Sequence, residues 1–264
     1  MNDNVNKPEL DSFVAVDVGN SGVKFGVFAD DQGMNFPVAS WKNDPADVAK
    51  FFGVEDSLQW AVSSVNSVNM QKIVDWITGN RLRDSVTILD RNRIPIRSKA
   101  DNPMQTGLDR LLAALGAIDW LKTVVGVTNE TQPLLVCDLG TAITIDSVTL
   151  DVFFHGGVIL PGFELSAAVL HEKTELLPKI DVFGPHVLTY PATNTESSIA
   201  SGIFWSVVGA IKLLADKAVE SPYIVLNGFG SDQIARELRR YFPSYYVLRV
   251  DDLVLAGVRV AILA

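Results

Sequence analysis

The stretch Val16-Asp17-Val18-Gly19-Asn20-Ser21-Gly22 and its near-copy Cys137-Asp138-Leu139-Gly140-Thr141-Ala142 decide how this chain is read. Phe13-Val-Ala leads into the first and Val23-Lys-Phe-Gly-Val-Phe28 follows it; Leu134-Leu-Val leads into the second and Ile143-Thr-Ile145 follows. Both read as strand, tight turn, strand. A carboxylate at a strand end beside a glycine turn is a device for phosphate and metal. The glycines let backbone N–H groups approach phosphate oxygens, and the carboxylate holds, directly or through water, a cation that neutralises phosphate charge. Two copies suggest two related halves facing one nucleotide.

At 264 residues the chain has room for two modest domains. The reading places a flexible extension at residues 1–12, a nucleotide-phosphate-binding half at 13–106, and a second half with cation and substrate sites at 107–264. Hydrophobic residues at 48% and charged ones at 20% are those of an ordinary globular protein, which excludes wholesale disorder. Lys plus Arg number 22 against 31 Asp plus Glu, for a net charge of −9. That balance argues against a nucleic-acid surface and for anions met only at a local, cation-assisted site. The single cysteine, Cys137, sits in an apolar strand and fits a reducing compartment. His155, His171 and His186 lack metal-ligand spacing, so neither zinc nor a Ser-His-Asp triad is supported. Asp109 and Arg110, Pro161 and Arg259 interrupt the most hydrophobic stretches before they reach a membrane span of ~18 residues. Met1 to Ser12 has no signal-peptide core, and a cytosolic protein is expected.

Strands and helices alternate along the chain, which points to an α/β architecture. Asp44 to Phe52 reads as a helix with Asp44 at its cap, Trp60 to Asn66 as a strand, Asn69 to Asn80 as an amphipathic helix and Ser85 to Leu89 as a strand. Asn102-Pro103 is expected to open a strong helix, with Leu108, Leu111, Leu112, Leu115, Ile118 and Leu121 at three- and four-residue steps. Further helices are expected at Leu165 to Leu177, from Asn194 towards Val219, and at Leu253 to Leu263; Tyr223 to Leu226 reads as a strand.

Lys24 alternates off the same strand as the first turn and could reach a phosphate. Gly107-Leu108-Asp109-Arg110 puts a carboxylate and a guanidinium side by side at the start of a helix. Such a pair can be a surface ion pair that complements the helix dipole. It can equally be a general base that accepts the proton of a substrate hydroxyl, with the arginine grasping a carboxylate or phosphate. Asp138, with Thr141 and Thr144, could hold a second cation or the terminal phosphate, or simply form the turn.

The order of these segments resembles the type III pantothenate kinases, of the sugar-kinase, heat-shock-chaperone and actin superfamily. The resemblance rests on Asp17-Val-Gly-Asn-Ser-Gly-Val-Lys24, Asn102-Pro103 leading to Gly107-Leu-Asp-Arg110, and Asp138-Leu-Gly-Thr-Ala142. It continues through Gly156-Gly-Val-Ile-Leu-Pro-Gly162, Leu176-Leu-Pro178, Asn194-Thr195, Ser201-Gly202 and Leu253-Val-Leu-Ala-Gly257. It implies two ribonuclease H-like halves with mixed sheets flanked by helices, ATP-dependent phosphorylation of pantothenate, and a homodimer with its active site near the interface. By the same resemblance, Asp17, Val18, Gly19, Asn20, Ser21, Gly22, Val23 and Lys24 bind ATP phosphates together with Thr141. Asp109 is the catalytic base. Gly107, Leu108, Asp109, Arg110 and Thr195 bind pantothenate, Asp138 binds potassium or ammonium, and magnesium accompanies the nucleotide.

Three positions depart from the family pattern: Ser21 for a usual Thr, Ala100 for a common Tyr, and Asn227-Gly-Phe-Gly230 for Thr-Gly-Gly near the adenosine. They leave open a non-catalytic, nucleotide-binding accessory protein of the same fold, or a kinase of another small hydroxylated acid.

Overall fold

The computed structural model describes residues 13–28, 39–51, 57–218 and 222–264. The extension at 1–12, Phe52 of the first expected helix and Val219 of the long one lie outside them. The described residues form two compact units. One takes in Met104–Val125, Asp252–Ala264 and the described part of Met1–Ile96; the other takes in Arg97–Pro103 and the described part of Gly126–Asp251.

In the first unit, β1 (Phe13–Val18), β2 (Val23–Phe28), β3 (Ala39–Lys42), β4 (Gln59–Ser64) and β5 (Ser85–Ile88) form a sheet of order β3-β2-β1-β4-β5. β1 is antiparallel to β2 and parallel to β4. Alternation decides which face each side chain takes. Val14, Val16, Val18, Phe25 and Val27 point to one face, where they pack with Trp60, Val62 and with Ile73 and Ile77 of α2 (Ser67–Asn80). The opposite face carries Ala15, Gly26 and Ala61 in one register row. Their small size admits a helix at close range, and α7 (Leu253–Leu263) packs against β1, β2 and β4. α7 also packs on α3 (Leu108–Trp120), reciprocally: a Cβ on Gly116 would strike the Leu253 carbonyl, and one on Gly257 would strike that of Leu112. Both positions therefore require glycine.

In the second unit, β6 (Arg97–Ser98), β7 (Pro133–Leu139), β8 (Ala142–Thr149), β9 (Phe153–Pro161), β10 (Tyr223–Gly228) and β11 (Tyr246–Arg249) are ordered β11-β10-β7-β8-β9-β6. β7 is antiparallel to β8 and parallel to β10, so β9-β8-β7-β10-β11 repeats the order and directions of β3-β2-β1-β4-β5. The duplication seen in two short motifs extends to whole sheets. The core of this unit joins Leu135, Cys137, Leu139, Ile143 and Ile145 to Ile199, Ile203, Phe204, Val207 and Ile211 of α5 (Thr195–Asp216). By length and composition α5 could cross a membrane, an apolar stretch longer than the sequence reading allowed; half of its most apolar window is buried within the protein. Burial among aliphatic side chains also pushes the Cys137 thiol well up from its usual range, with Asp146 and Asp138 adding to the effect.

Several expectations need correction. Pro103–Gln105 is only a short 3-10 turn, and the helix expected from Asn102 begins at Leu108. The helix expected to reach Leu177 stops at Lys173, as α4 (Phe163–Lys173). Contacts do not divide the chain at residue 107, because α3 and α7 belong with the first sheet. α6 (Ser231–Tyr241) and β11 were not anticipated.

Candidate active site

In the first unit, Gly19 N–H donates to the Gly22 carbonyl at 2.9 Å and closes the hairpin, leaving Asn20 and Ser21 exposed. Asn43, at φ 69°, accepts from Val23 N–H through Oδ1 at 3.2 Å and so ties the hairpin to the end of β3. Asp17 ends β1 on the face that α7 covers. In register beside it stand Lys24 on β2 and Ser63 on β4, with Lys42 of β3 beyond Lys24. Ser63 is 1% exposed, and its Oγ has no hydrogen-bond partner among the described residues. Asp109 lies in the first turn of α3, where its Oδ1 accepts from Arg110 N–H at 2.9 Å, and α3 packs against β4. The carboxylate thus complements the positive end of the helix dipole. Asp17 to Lys24 and Gly107 to Arg110 therefore fall in the same unit.

In the second unit, Asp138 ends β7 with Asn227 of β10 on one side and Thr144 of β8 on the other. Asn227, 3% exposed, donates from Nδ2 to Asp138 Oδ1 at 2.8 Å. Sequence reasoning registered Asn227 only as a departure; its place in register beside Asp138, equivalent to that of Ser63 beside Asp17, emerges only from the strand pairing. The following turn is held by Gly140 N–H to the Ala142 carbonyl, 3.2 Å, and Gly162 N–H to the Thr141 carbonyl, 2.9 Å, with Thr141 exposed. Phe229 N–H donates to the Leu139 carbonyl at 3.0 Å. Gly228 and Gly230 have φ 94° and 82°, which glycine alone adopts readily. Thr195 is exposed at the start of α5, next to the cap Asn194, whose Oδ1 accepts from Ser197 N–H at 2.8 Å. Ala100 has its N–H held by Ser98 Oγ at 3.1 Å.

Among the described residues no group of three His, Cys, Asp or Glu side chains could cage a metal ion. Single carboxylates beside phosphate-binding turns suit a hard cation whose other ligands are phosphate oxygens and water, the usual arrangement for magnesium. Asp17, beside a glycine turn with the Ser63 hydroxyl in register, fits that use, and Asp138, with Asn227 and Thr144 in register, offers a carboxylate to a cation as well.

Two sheets that share one strand order, with an aspartate near the end of β1 in one and of β7 in the other, define the actin-like ATPase fold. Solved structures agree on the fold. The activator of 2-hydroxyisocaproyl-CoA dehydratase from Clostridium difficile, with bound ADPNP, superposes at TM-score 0.51 with 12% identity, covering 94% of this chain and 91% of that one. The ethanolamine utilization protein EutJ from Carboxydothermus hydrogenoformans gives 0.52 with 12% identity over 96% and 90%. The sequence profile of type III pantothenate kinase matches residues 13–217, and the chain belongs to that family. The type III pantothenate kinase of Ruegeria sp. (strain TM1040) is 27% identical, covering 93% of this chain and 94% of that one. That of Herminiimonas arsenicoxydans is 37% identical over 61% of this chain and 59% of that one.

Proposed function

We propose that this kinase transfers the γ-phosphoryl group of ATP to the 4′-hydroxyl of pantothenate, the first step of coenzyme A biosynthesis. The observation that carries this reading is the family match over residues 13–217 together with an aspartate at the equivalent strand end of both repeated sheets. The backbone amides of Val18 to Val23 and the Lys24 ammonium hold the phosphates, and Asp17 faces the magnesium that travels with the nucleotide. Asp109 accepts the proton of the attacking hydroxyl, while Gly107, Leu108 and Arg110 orient pantothenate. In the second unit, Asp138 holds potassium or ammonium, Thr141 contacts ATP, and Thr195 reaches pantothenate, in a homodimer across its interface. A cytoplasmic location follows from the substrate.

These assignments are physically consistent because phosphoryl transfer depends mainly on positioning and on neutralising charge, which glycine turns, one lysine and carboxylate-held cations supply. The dimer reading draws support from apolar side chains that α4 and β9 expose, Leu165, Val169, Val158 and Ile159.

The test is ATP consumption in the presence of pantothenate, magnesium and potassium. Turnover that depends on pantothenate is expected; none under these conditions would overturn the reading. Asp109→Asn is expected to lose ~10²–10⁴ in kcat, as removal of a general base does. A fully active variant would take that role from Asp109.

A further inference from the structure

We propose that Phe229 is the stacking platform for the adenine ring and hence a specificity-determining residue. This rests on the ATP-dependent reading above. Phe229 is 57% exposed, unusual for so large an apolar side chain in a turn between two positive-φ glycines. A single exposed aromatic residue needs no special explanation by itself. This one, however, is held from behind. Its N–H is bonded to the Leu139 carbonyl, and its ring meets that of Phe183 at 5.0 Å and 88°. Phe183 in turn stands on Phe163 at 4.8 Å and on Phe204 at 6.3 Å, both buried in the core of the unit. A chain of perpendicular rings therefore runs from the core to the surface and ends in Phe229. An edge-to-face contact occupies at most one face of the terminal ring, and an exposure of 57% leaves ring surface for a ligand.

The location gives that face a ligand. Phe229 follows the carboxyl end of β10, where Asn227 and Gly228 lie in register with Asp138 and Leu139 of β7. From β7 the chain runs outward through β8 and β9 and then crosses to β10 on the other side of β7, so strand order reverses between the parallel strands β7 and β10, and ligands of open α/β sheets bind beyond the carboxyl ends of strands at such points. Charge then selects which part of a nucleotide fits. The first turn of α6, directly after Gly230, carries Asp232, paired with Arg249 at 3.2 Å, with Asp251 on the same guanidinium at 2.8 Å. Two carboxylates on one arginine leave this rim with no excess positive charge for phosphates. An uncharged, planar base suits it.

The experiment measures binding of ATP, CTP and inorganic tripolyphosphate by calorimetry, with the steady-state KM and kcat for ATP, in the full-length protein and in Phe229→Ala, Phe229→Leu and Phe229→Trp. Stacking on one aromatic ring is lost at roughly 5- to 150-fold in affinity. Phe229→Ala is expected to weaken ATP by that factor, to raise its KM while keeping kcat at saturation, and to narrow the preference for ATP over CTP. Tripolyphosphate, which has no base, should bind as before. Phe229→Trp should restore ATP affinity and Phe229→Leu should not. Unchanged ATP affinity in Phe229→Ala, or equal loss for ATP and tripolyphosphate, would overturn the proposal. A change of sedimentation behaviour with nucleotide affinity intact would do the same and mark Phe229 as a protein contact. Failure of the unaltered protein to bind ATP would overturn the ATP-dependent reading together with this one.

Discussion

Asp17 and Asp138 end equivalent strands of two sheets with the same order, yet their register rows differ. In the first unit the row reads Ser63, Asp17, Lys24, Lys42; in the second it reads Asn227, Asp138, Thr144, Ile159. Two ammonium groups share the row of Asp17, so positive charge stands beside that carboxylate. The row of Asp138 contains an amide, a hydroxyl and an aliphatic chain, none of which offsets the carboxylate by a full charge. The same backbone device therefore suits opposite electrostatic tasks, and a handful of side chains on neighbouring strands makes the difference.

The sharpest way to break this comparison is to neutralise each aspartate in turn. Asp17→Asn is expected to cost ~10²–10³ in kcat at every potassium concentration, the scale for losing one preorganised electrostatic contact in phosphoryl transfer. Asp138→Asn should instead abolish the response to potassium or ammonium, read as activity titrated against the ion. Identical potassium profiles for the two variants would end the claim that the halves are unequal.

Their strand partners should differ on a smaller scale. Asn227→Ala removes a donor to a carboxylate and is expected to weaken monovalent-cation affinity ~10–100-fold, the usual effect of losing an outer partner of a ligand. Ser63→Ala should change stability by less than about 1 kcal/mol, since its Oγ has no protein partner to lose. Thermal unfolding of both variants and direct cation titration check the pair. A strong defect in Ser63→Ala would indicate that Oγ binds a buried water or a ligand.

The smallest effect belongs to Asp119 on α3. Burial pushes its carboxyl above the usual carboxylate range, against the opposing pull of Arg259 and Lys122, and its Oδ2 has no partner among the described residues. The folded state therefore binds this proton more tightly than the unfolded chain does. Stability from this group is fully present below the unfolded pKa, near ~4, and is lost as pH rises through the higher folded value. Asp119→Asn, which stays neutral, should gain in thermal midpoint over the unaltered protein as pH rises through that window. Below it the difference should be flat.

Both hairpins and the closing helix were legible because their signals are local. Period-two alternation interrupted by Gly19 to Gly22 or by Gly140 allows little else, and Leu253–Leu263 was found at its observed bounds. The start of α3 was misplaced because Pro103 is a good helix opener, whereas Pro103–Gln105 forms only a 3-10 turn and Gly107, with ψ 134°, caps a helix that begins at Leu108. α6 escaped notice because charged residues dominate it and only Ser231, Ile234, Ala235 and Leu238 are buried. Those four positions nevertheless keep the i, i+3, i+4, i+7 spacing of an amphipathic helix, a stripe that packing against the core turns into stability.

The candidate site divides the same way. Residue types and spacing by themselves determined the repeated α/β architecture, the two glycine hairpins that follow Asp17 and Asp138, and the family, because glycine, carboxylate and alternation constrain the backbone within a few residues. Only the tertiary structure decided that α3 and α7 belong to the first sheet, that Asn227 grips Asp138 from 89 residues away, and that Phe183 holds Phe229 at the surface. Those facts depend on strand register and side-chain packing between distant segments, which no local pattern encodes.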